Sequence, residues 1–121
     1  MQKIELLKEI DKAKEYLVVV EGPKDKAALK EIGFKKIIVL NENGKSLNEK
    51  IEEIEKIANE NKSKVCILTD FDRKGKKLYL QLKTELSIRK VKMNNDLRAK
   101  LLKEKISHIE GLATFFEKIK F

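Results

Sequence analysis

Short apolar runs alternate along the chain with longer stretches in which apolar residues recur at helical spacing. The runs cover residues 16–20, 36–40 and 65–68. They are too short for helices and contain many β-branched residues, so they predict strands. A continuous apolar run is typical of a strand that is buried on both faces, as in a parallel sheet. The sequence therefore predicts an α/β protein.

Helical periodicity fills the intervening stretches and the remainder of the chain. It covers residues 2–14, 27–32, 47–58, 78–86, 97–102 and 112–119, and residues 91–93 could add a short fourth strand. We therefore expect a three-layer α/β/α sandwich around a parallel sheet of about four strands. We expect one domain over residues 1–121, with a core at about 17–93 and a helical C-terminal extension at 94–121.

Acidic residues follow two of the predicted strands directly. Glu21 comes after the first strand, and Asp70 and Asp72 come after the third. In open α/β sheets, ligands bind outside the carboxyl ends of the strands. If strands one and three are neighbours, the three carboxylates meet at one edge, and for this reason we expect the order 2-1-3-4. Oxygen ligands of this kind suit Mg²⁺, with Mn²⁺ as the alternative.

Turn residues mark the same ends of the predicted strands. We expect structural turn roles for Gly22, Asp25, Gly44 and Gly75. The sequence Gly-Lys-Ser at 44–46 invites comparison with a phosphate-binding P-loop, but Val39 stands where that motif requires glycine. Ser46 and Glu49 instead predict a capping box at the start of a helix.

Positive charge is concentrated in one part of the chain. The net charge is +8, yet residues 1–72 hold 14 Lys/Arg and 15 Asp/Glu, whereas residues 73–105 hold 12 Lys/Arg and 3 Asp/Glu. The excess begins immediately after the aspartate pair. A positive field beside a carboxylate site suits a polyanion such as nucleic acid. A solvated lysine-rich surface is the alternative explanation.

Several classes of protein are disfavoured. The single cysteine, Cys66, excludes an internal disulfide and a multi-cysteine zinc site. No apolar run approaches the ~18 residues of a membrane span, and the N-terminus lacks a signal-peptide core. We therefore expect a cytoplasmic protein without a membrane partner. We expect the lone histidine, His108, to be an ordinary surface or hydrogen-bonded residue.

Two motifs together resemble those of the Toprim domain, which topoisomerases, bacterial-type primases, recombination-repair proteins and ribonuclease M5 share. They are Glu-Gly-Pro-Lys-Asp at 21–25 and Asp-Phe-Asp-Arg-Lys-Gly at 70–75, each after a predicted strand. The chain is similar to small stand-alone Toprim proteins of the ribonuclease M5 and primase-like kind. The segments around Gly44, Arg98 and residues 108–110 are also similar to ribonuclease M5.

The resemblance implies a Rossmann-like parallel sheet and Mg²⁺-dependent phosphoryl transfer on nucleic acid. It implies that Asp70 and Asp72 hold the metal, and that Glu21 is the general acid/base or a further metal ligand. The basic residues near the two motifs become candidates for phosphate contacts: Lys24, Arg73, Lys74, Lys76 and Lys77. Topoisomerase activity is disfavoured, because Tyr16 and Tyr79 are the only tyrosines and both lie in packing patterns.

Three functional hypotheses remain. The first is a nuclease that acts on structured RNA, with RNA favoured over DNA. The second is a non-catalytic module that binds metal and nucleic acid and serves as an adapter to a partner enzyme. The third, a receiver-like phosphotransfer protein, is disfavoured because its aspartate pair should follow the first strand, where this chain has Glu21.

Overall fold

A parallel three-stranded sheet forms the centre of the computed structural model, which describes residues 2–106 and 108–119. Its strands are β1 (Leu17–Val20), β2 (Ile37–Val39) and β3 (Val65–Ile67), in the order β2-β1-β3. The prediction that the first and third strands are neighbours is confirmed. Because all strands are parallel, their carboxyl ends lie at one edge of the sheet.

Six helices of the described residues cover the two faces of this sheet. They are α1 (Gln2–Ala13), α2 (Pro23–Glu31), α3 (Leu47–Asn61), α4 (Arg73–Ile88), α5 (Asp96–Lys103) and α6 (Glu110–Ile119). Val18 and Val20 pack with α1, α2, α5 and α6, whereas Leu17 and Val19 pack with α3 and α4. Successive side chains of β1 therefore point to opposite faces of the sheet, and both faces are buried. The predicted three-layer α/β/α arrangement is confirmed.

The predicted fourth strand is wrong within the described residues. Met93 forms only an isolated parallel bridge with Val65. Lys92 and Asn94 form the two backbone hydrogen bonds of this bridge with Val65, and α5 begins soon afterwards at Asp96. Asn95 instead accepts a hydrogen bond through Oδ1 from the backbone N–H of Ile67, at 2.9 Å. The backbone bridge to Val65 and the Asn95 side chain thus take the place of a fourth strand at this edge of the sheet.

The turn residues lie where the chain leaves the sheet. Asp25 accepts a hydrogen bond from the Gly22 N–H at 3.0 Å, which closes the first turn of α2. Gly44 has φ of +64°, a left-handed conformation in which glycine is favoured. The predicted capping box at the start of α3 is confirmed, since Ser46 and Glu49 bond to each other's backbone N–H.

The C-terminal helices complete one layer of the sandwich. α5 packs on α1, and α6 packs on α2. Ile109 and Leu112 are fully buried in the same core as Val18 of the central strand. None of the helices in the described residues is long and apolar enough to cross a bilayer.

Replacing Asn95 tests how the edge of the sheet is stabilised. Asn95→Ala leaves the buried Ile67 N–H without its acceptor, so we expect a loss of about 1–3 kcal/mol in the free energy of unfolding. Asn95 makes no side-chain capping bond to α5, so helix capping does not contribute to this loss. Asn95→Asp is the matched control, because it keeps an acceptor oxygen. If Asn95→Ala and the unmodified protein are equally stable in urea unfolding, the hydrogen bond between Asn95 and Ile67 does not stabilise the edge of the sheet.

Candidate metal centre

The loop between β3 and α4 is folded tightly against the first turn of the helix. Asp72 caps α4, because its Oδ1 accepts a hydrogen bond from the Gly75 N–H at 2.8 Å. The Thr69 hydroxyl donates to the Gly75 carbonyl at 2.7 Å. A Cβ at position 75 would lie 2.0 Å from the carbonyl oxygen of Asp70. Glycine is therefore required here for close approach of two backbone segments.

Glu21 joins the carboxyl ends of β1 and β3. Its side chain is buried, and Oε2 accepts a hydrogen bond from the backbone N–H of Asp70 at 2.7 Å. A hydrogen bond to an ionised carboxylate is stronger than one between neutral groups. The structure thus brings the two motifs of the sequence into direct contact, with the glutamate beneath the aspartate loop.

Asp70, Asp72 and His108 form a cluster that could hold a metal ion. Each offers one ligand atom, and these atoms lie within 4.8 Å of one another. Asp70 is half-buried, whereas Asp72 and His108 are exposed. Two carboxylates and an imidazole form a donor set that fits a divalent cation. The residues present therefore fit a metal site at the carboxyl edge of the sheet.

The segment before α6 is attached to this cluster. The Ile109 N–H donates to Asp70 Oδ1 at 3.0 Å, and His108 Nδ1 lies 3.6 Å from Asp70 Oδ2. Sequence reasoning did not place His108 at the site, because no local spacing relates it to the aspartate pair. The similarity of residues 108–110 to ribonuclease M5 was the only signal that pointed to this segment.

Arg98 supports the aspartate loop from inside the protein. Its guanidinium is buried and donates to the backbone carbonyls of Thr69 and Asp70. It also stacks on two rings, 4.5 Å from the centroid of Phe71 and 4.3 Å from that of Tyr79. Burial lowers the pKa of Arg98. The side chain thus holds the backbone that follows the carboxyl end of β3, and it places a positive charge near the carboxylates of the site.

The predicted phosphate-contact residues lie near the same edge. Arg73, Lys74, Lys76 and Lys77 project from the start of α4, directly after Asp72, and Lys24 lies in the first turn of α2. All five are exposed, and none forms an ion pair within the part of the chain that the structure describes. Their charges are therefore available to an anion in solution.

The fold and its acidic edge define a metal-binding α/β domain. The family model of the Toprim domain matches residues 16–110, and the chain belongs to this family. Toprim domains bind divalent metal ions, and the membership implies a metal-binding function connected with nucleic acids.

Proteins of similar sequence occur in archaea and bacteria. The chain is 33% identical over 115 residues to a UPF0292 protein of Thermococcus onnurineus, covering 91% of this chain and 82% of that protein. It is 35% identical over 119 residues to a UPF0292 protein of Archaeoglobus fulgidus, covering 91% and 88%. A solved structure of an Aquifex aeolicus protein superposes with a TM-score of 0.73 at 33% identity, covering 88% of this chain and 94% of that one.

Two helical glycines provide a matched test of the tight loop. Gly75→Ala forces a Cβ into the Asp70 backbone, so we expect the free energy of unfolding to fall by about 1–3 kcal/mol and divalent-cation binding to weaken. In Gly111→Ala the nearest atom to the new Cβ is Ile106 Cγ2 at 3.9 Å, an ordinary contact. We expect that control to be unchanged or slightly more stable. Equal stability of the two variants in thermal unfolding would contradict the close approach of the Gly75 and Asp70 backbones.

Proposed function

We propose that this protein is a Mg²⁺-dependent phosphoryl-transfer enzyme that acts on nucleic acid, most simply a nuclease for structured RNA. The observation that carries the proposal is the contact between the two acidic motifs. Glu21 lies against the backbone of Asp70, and Asp72 lies in the same cluster of ligand atoms. Mn²⁺ also fits a site of this composition.

The acidic residues have separate tasks in this proposal. Asp70 and Asp72 hold the divalent cation, which when bound neutralises charge on the phosphodiester and polarises the attacking or leaving oxygen. Glu21 acts as the general acid/base. Its Oε2 is held by the Asp70 N–H, so Oε1 is the oxygen left for proton transfer. Positioning and electrostatics supply most of the catalysis in reactions of this kind.

The basic residues contact the phosphates of the substrate. Four cationic side chains lie at the start of α4, where they repel one another and oppose the helix dipole. Asp72 at the cap offsets part of this repulsion, and bound phosphate groups would offset more. Lys24 extends the positive surface to α2 on the other side of the acidic edge. This arrangement supports a polyanionic substrate.

The alternative is a non-catalytic module that binds metal and RNA and brings them to a partner enzyme. The observation in its favour is the exposure of Asp72 and His108. Such an exposed site can bind a cation and a phosphate backbone without excluding water, whereas closure of an active site normally expels water. A protein partner would then supply substrate recognition and the enclosing surface.

A cleavage assay separates the enzyme from the adapter. We expect Mg²⁺-dependent cutting of structured RNA, abolished by EDTA and reduced by at least about 100-fold in Asp70→Asn, Asp72→Asn and Glu21→Gln. Each variant keeps an acceptor oxygen for its backbone hydrogen bond, so the fold should survive, as circular dichroism can check. Asp11→Asn, at an exposed position of α1, is the control and should retain full activity. Full activity in Asp70→Asn would exclude the proposed enzyme.

Salt-dependent binding tests the predicted nucleic-acid surface. Replacing both Lys76 and Lys77 with Gln should weaken RNA binding and lower the dependence of log K on log salt by roughly 0.7–0.9 per lost phosphate contact. The matched control replaces Lys35 and Lys36 with Gln, another exposed adjacent pair, which precedes β2 at the opposite edge of the sheet. If both double variants change the salt dependence equally, the start of α4 is not the binding surface.

A further inference from the structure

We propose that His108 is a metal ligand, and that with Asp70 and Asp72 it forms a three-residue site that binds Mn²⁺ more tightly than an oxygen-only site would. This inference rests on the metal site of the proposed function and specifies its third ligand and its selectivity. It makes the imidazole the nitrogen ligand of the site, which the two acidic motifs do not contain.

The spacing of the three side chains fits one ion. His108 Nδ1 and Asp70 Oδ2 are 3.6 Å apart, which is longer than a normal hydrogen bond. Two ligands of one octahedral ion with bonds of about 2.1 Å lie roughly 3 Å apart when adjacent and about 4.2 Å apart when opposite. The separations in the cluster, all within 4.8 Å, are therefore close to those of ligands that share a cation.

The backbone next to His108 is anchored to another ligand of the same site. Ile109 donates its N–H to Asp70 Oδ1, and the Ile109 side chain is fully buried. The hydrogen bond occupies Oδ1 of Asp70, so Oδ2, the oxygen nearest His108, is the one available to the ion. Anchoring of this kind reduces the entropy lost when the imidazole is ordered on a metal.

Glu21 is less suited than His108 to be the third ligand. Glu21 is buried, and its Oε2 is engaged by the Asp70 N–H. Among the residues that the structure describes, the metal-capable cluster at this edge contains His108 and does not contain Glu21. Glu21 thereby stays available for proton transfer, while the imidazole completes the ligand set.

A nitrogen ligand changes which cations the site prefers. Mg²⁺ binds oxygen ligands and retains several waters. Mn²⁺ also suits oxygen ligands, but as a first-row transition metal it accepts an imidazole nitrogen more readily than Mg²⁺ does. His108 therefore raises the affinity for Mn²⁺ and contributes little to the affinity for Mg²⁺. The competing explanation is an exposed ion pair between His108 and Asp70, which would be worth little and would leave metal binding unchanged.

The composition of the chain makes a direct test possible. It contains one histidine, so in protein prepared without a histidine tag any imidazole nitrogen coupled to bound Mn²⁺ belongs to His108. Electron spin-echo envelope modulation of the Mn²⁺-loaded protein should show this ¹⁴N coupling. His108→Asp, which retains an oxygen ligand, should bind Mn²⁺ without the coupling.

Cation titrations give the second measurement. His108→Ala should raise the Kd for Mn²⁺ by about tenfold or more and change the Kd for Mg²⁺ by less than about threefold, which lowers the selectivity between the two ions. Thr114→Ala, at an exposed position of α6, is the control and should bind both ions normally. If His108→Ala does not fold, the spin-echo spectrum of the unmodified protein with Mn²⁺ still shows whether His108 binds the ion.

Each contrary outcome has a distinct meaning. Mn²⁺ bound without ¹⁴N coupling, or equal Mn²⁺ affinity in His108→Ala and the unmodified protein, overturns the assignment of His108 and leaves the aspartate site intact. No binding of Mn²⁺ or Mg²⁺ by the unmodified protein overturns the proposed function as well. Metal binding through His108 in a protein that cuts no RNA supports this inference and favours the adapter.

Discussion

The hydrogen bond from the Asp70 N–H to Glu21 is the interaction on which the site depends. It joins the ends of two neighbouring strands, and it gives a hydrogen-bond donor to a buried carboxylate, a group that is costly to bury without one. The parallel order β2-β1-β3 brings the two partners together, although they are far apart in the sequence. The sheet thus gives the acidic motifs a common position, and the hydrogen bond fixes their relative orientation.

Two further contacts hold the aspartate loop from different directions. Gly75 lets the first turn of α4 approach the Asp70 backbone, and Arg98 binds the carbonyls of Thr69 and Asp70 from the side of α5. The loop is therefore fixed at both ends although Asp72 itself is exposed. A cation site with such support is organised before the ion arrives, so less ordering is required when the ion binds.

The sequence was informative where local patterns determine structure. Apolar runs predicted the strands, and the need to bring Glu21 beside Asp70 predicted their order. The sheet edge could not be predicted, because an isolated bridge to Val65 and a side-chain contact from Asn95 to Ile67 take the place of a strand there. Arg98 and His108 reach the site through tertiary packing of α5 and α6, and no sequence periodicity relates them to Asp70. Their approach depends on helix packing, which the pattern of apolar residues does not specify.

The attachment of Ile109 to Asp70 also has a consequence for the order of assembly during translation. The ribosome makes the chain from its N-terminus, so the strands and the aspartate loop emerge long before the segment that leads into α6. A nascent chain that has only reached α5 contains both acidic motifs but lacks the backbone donor that holds Asp70 Oδ1. The acidic edge is consequently completed late in synthesis, and a partly made chain differs from the finished protein in the hydrogen bonding of the Asp70 side chain.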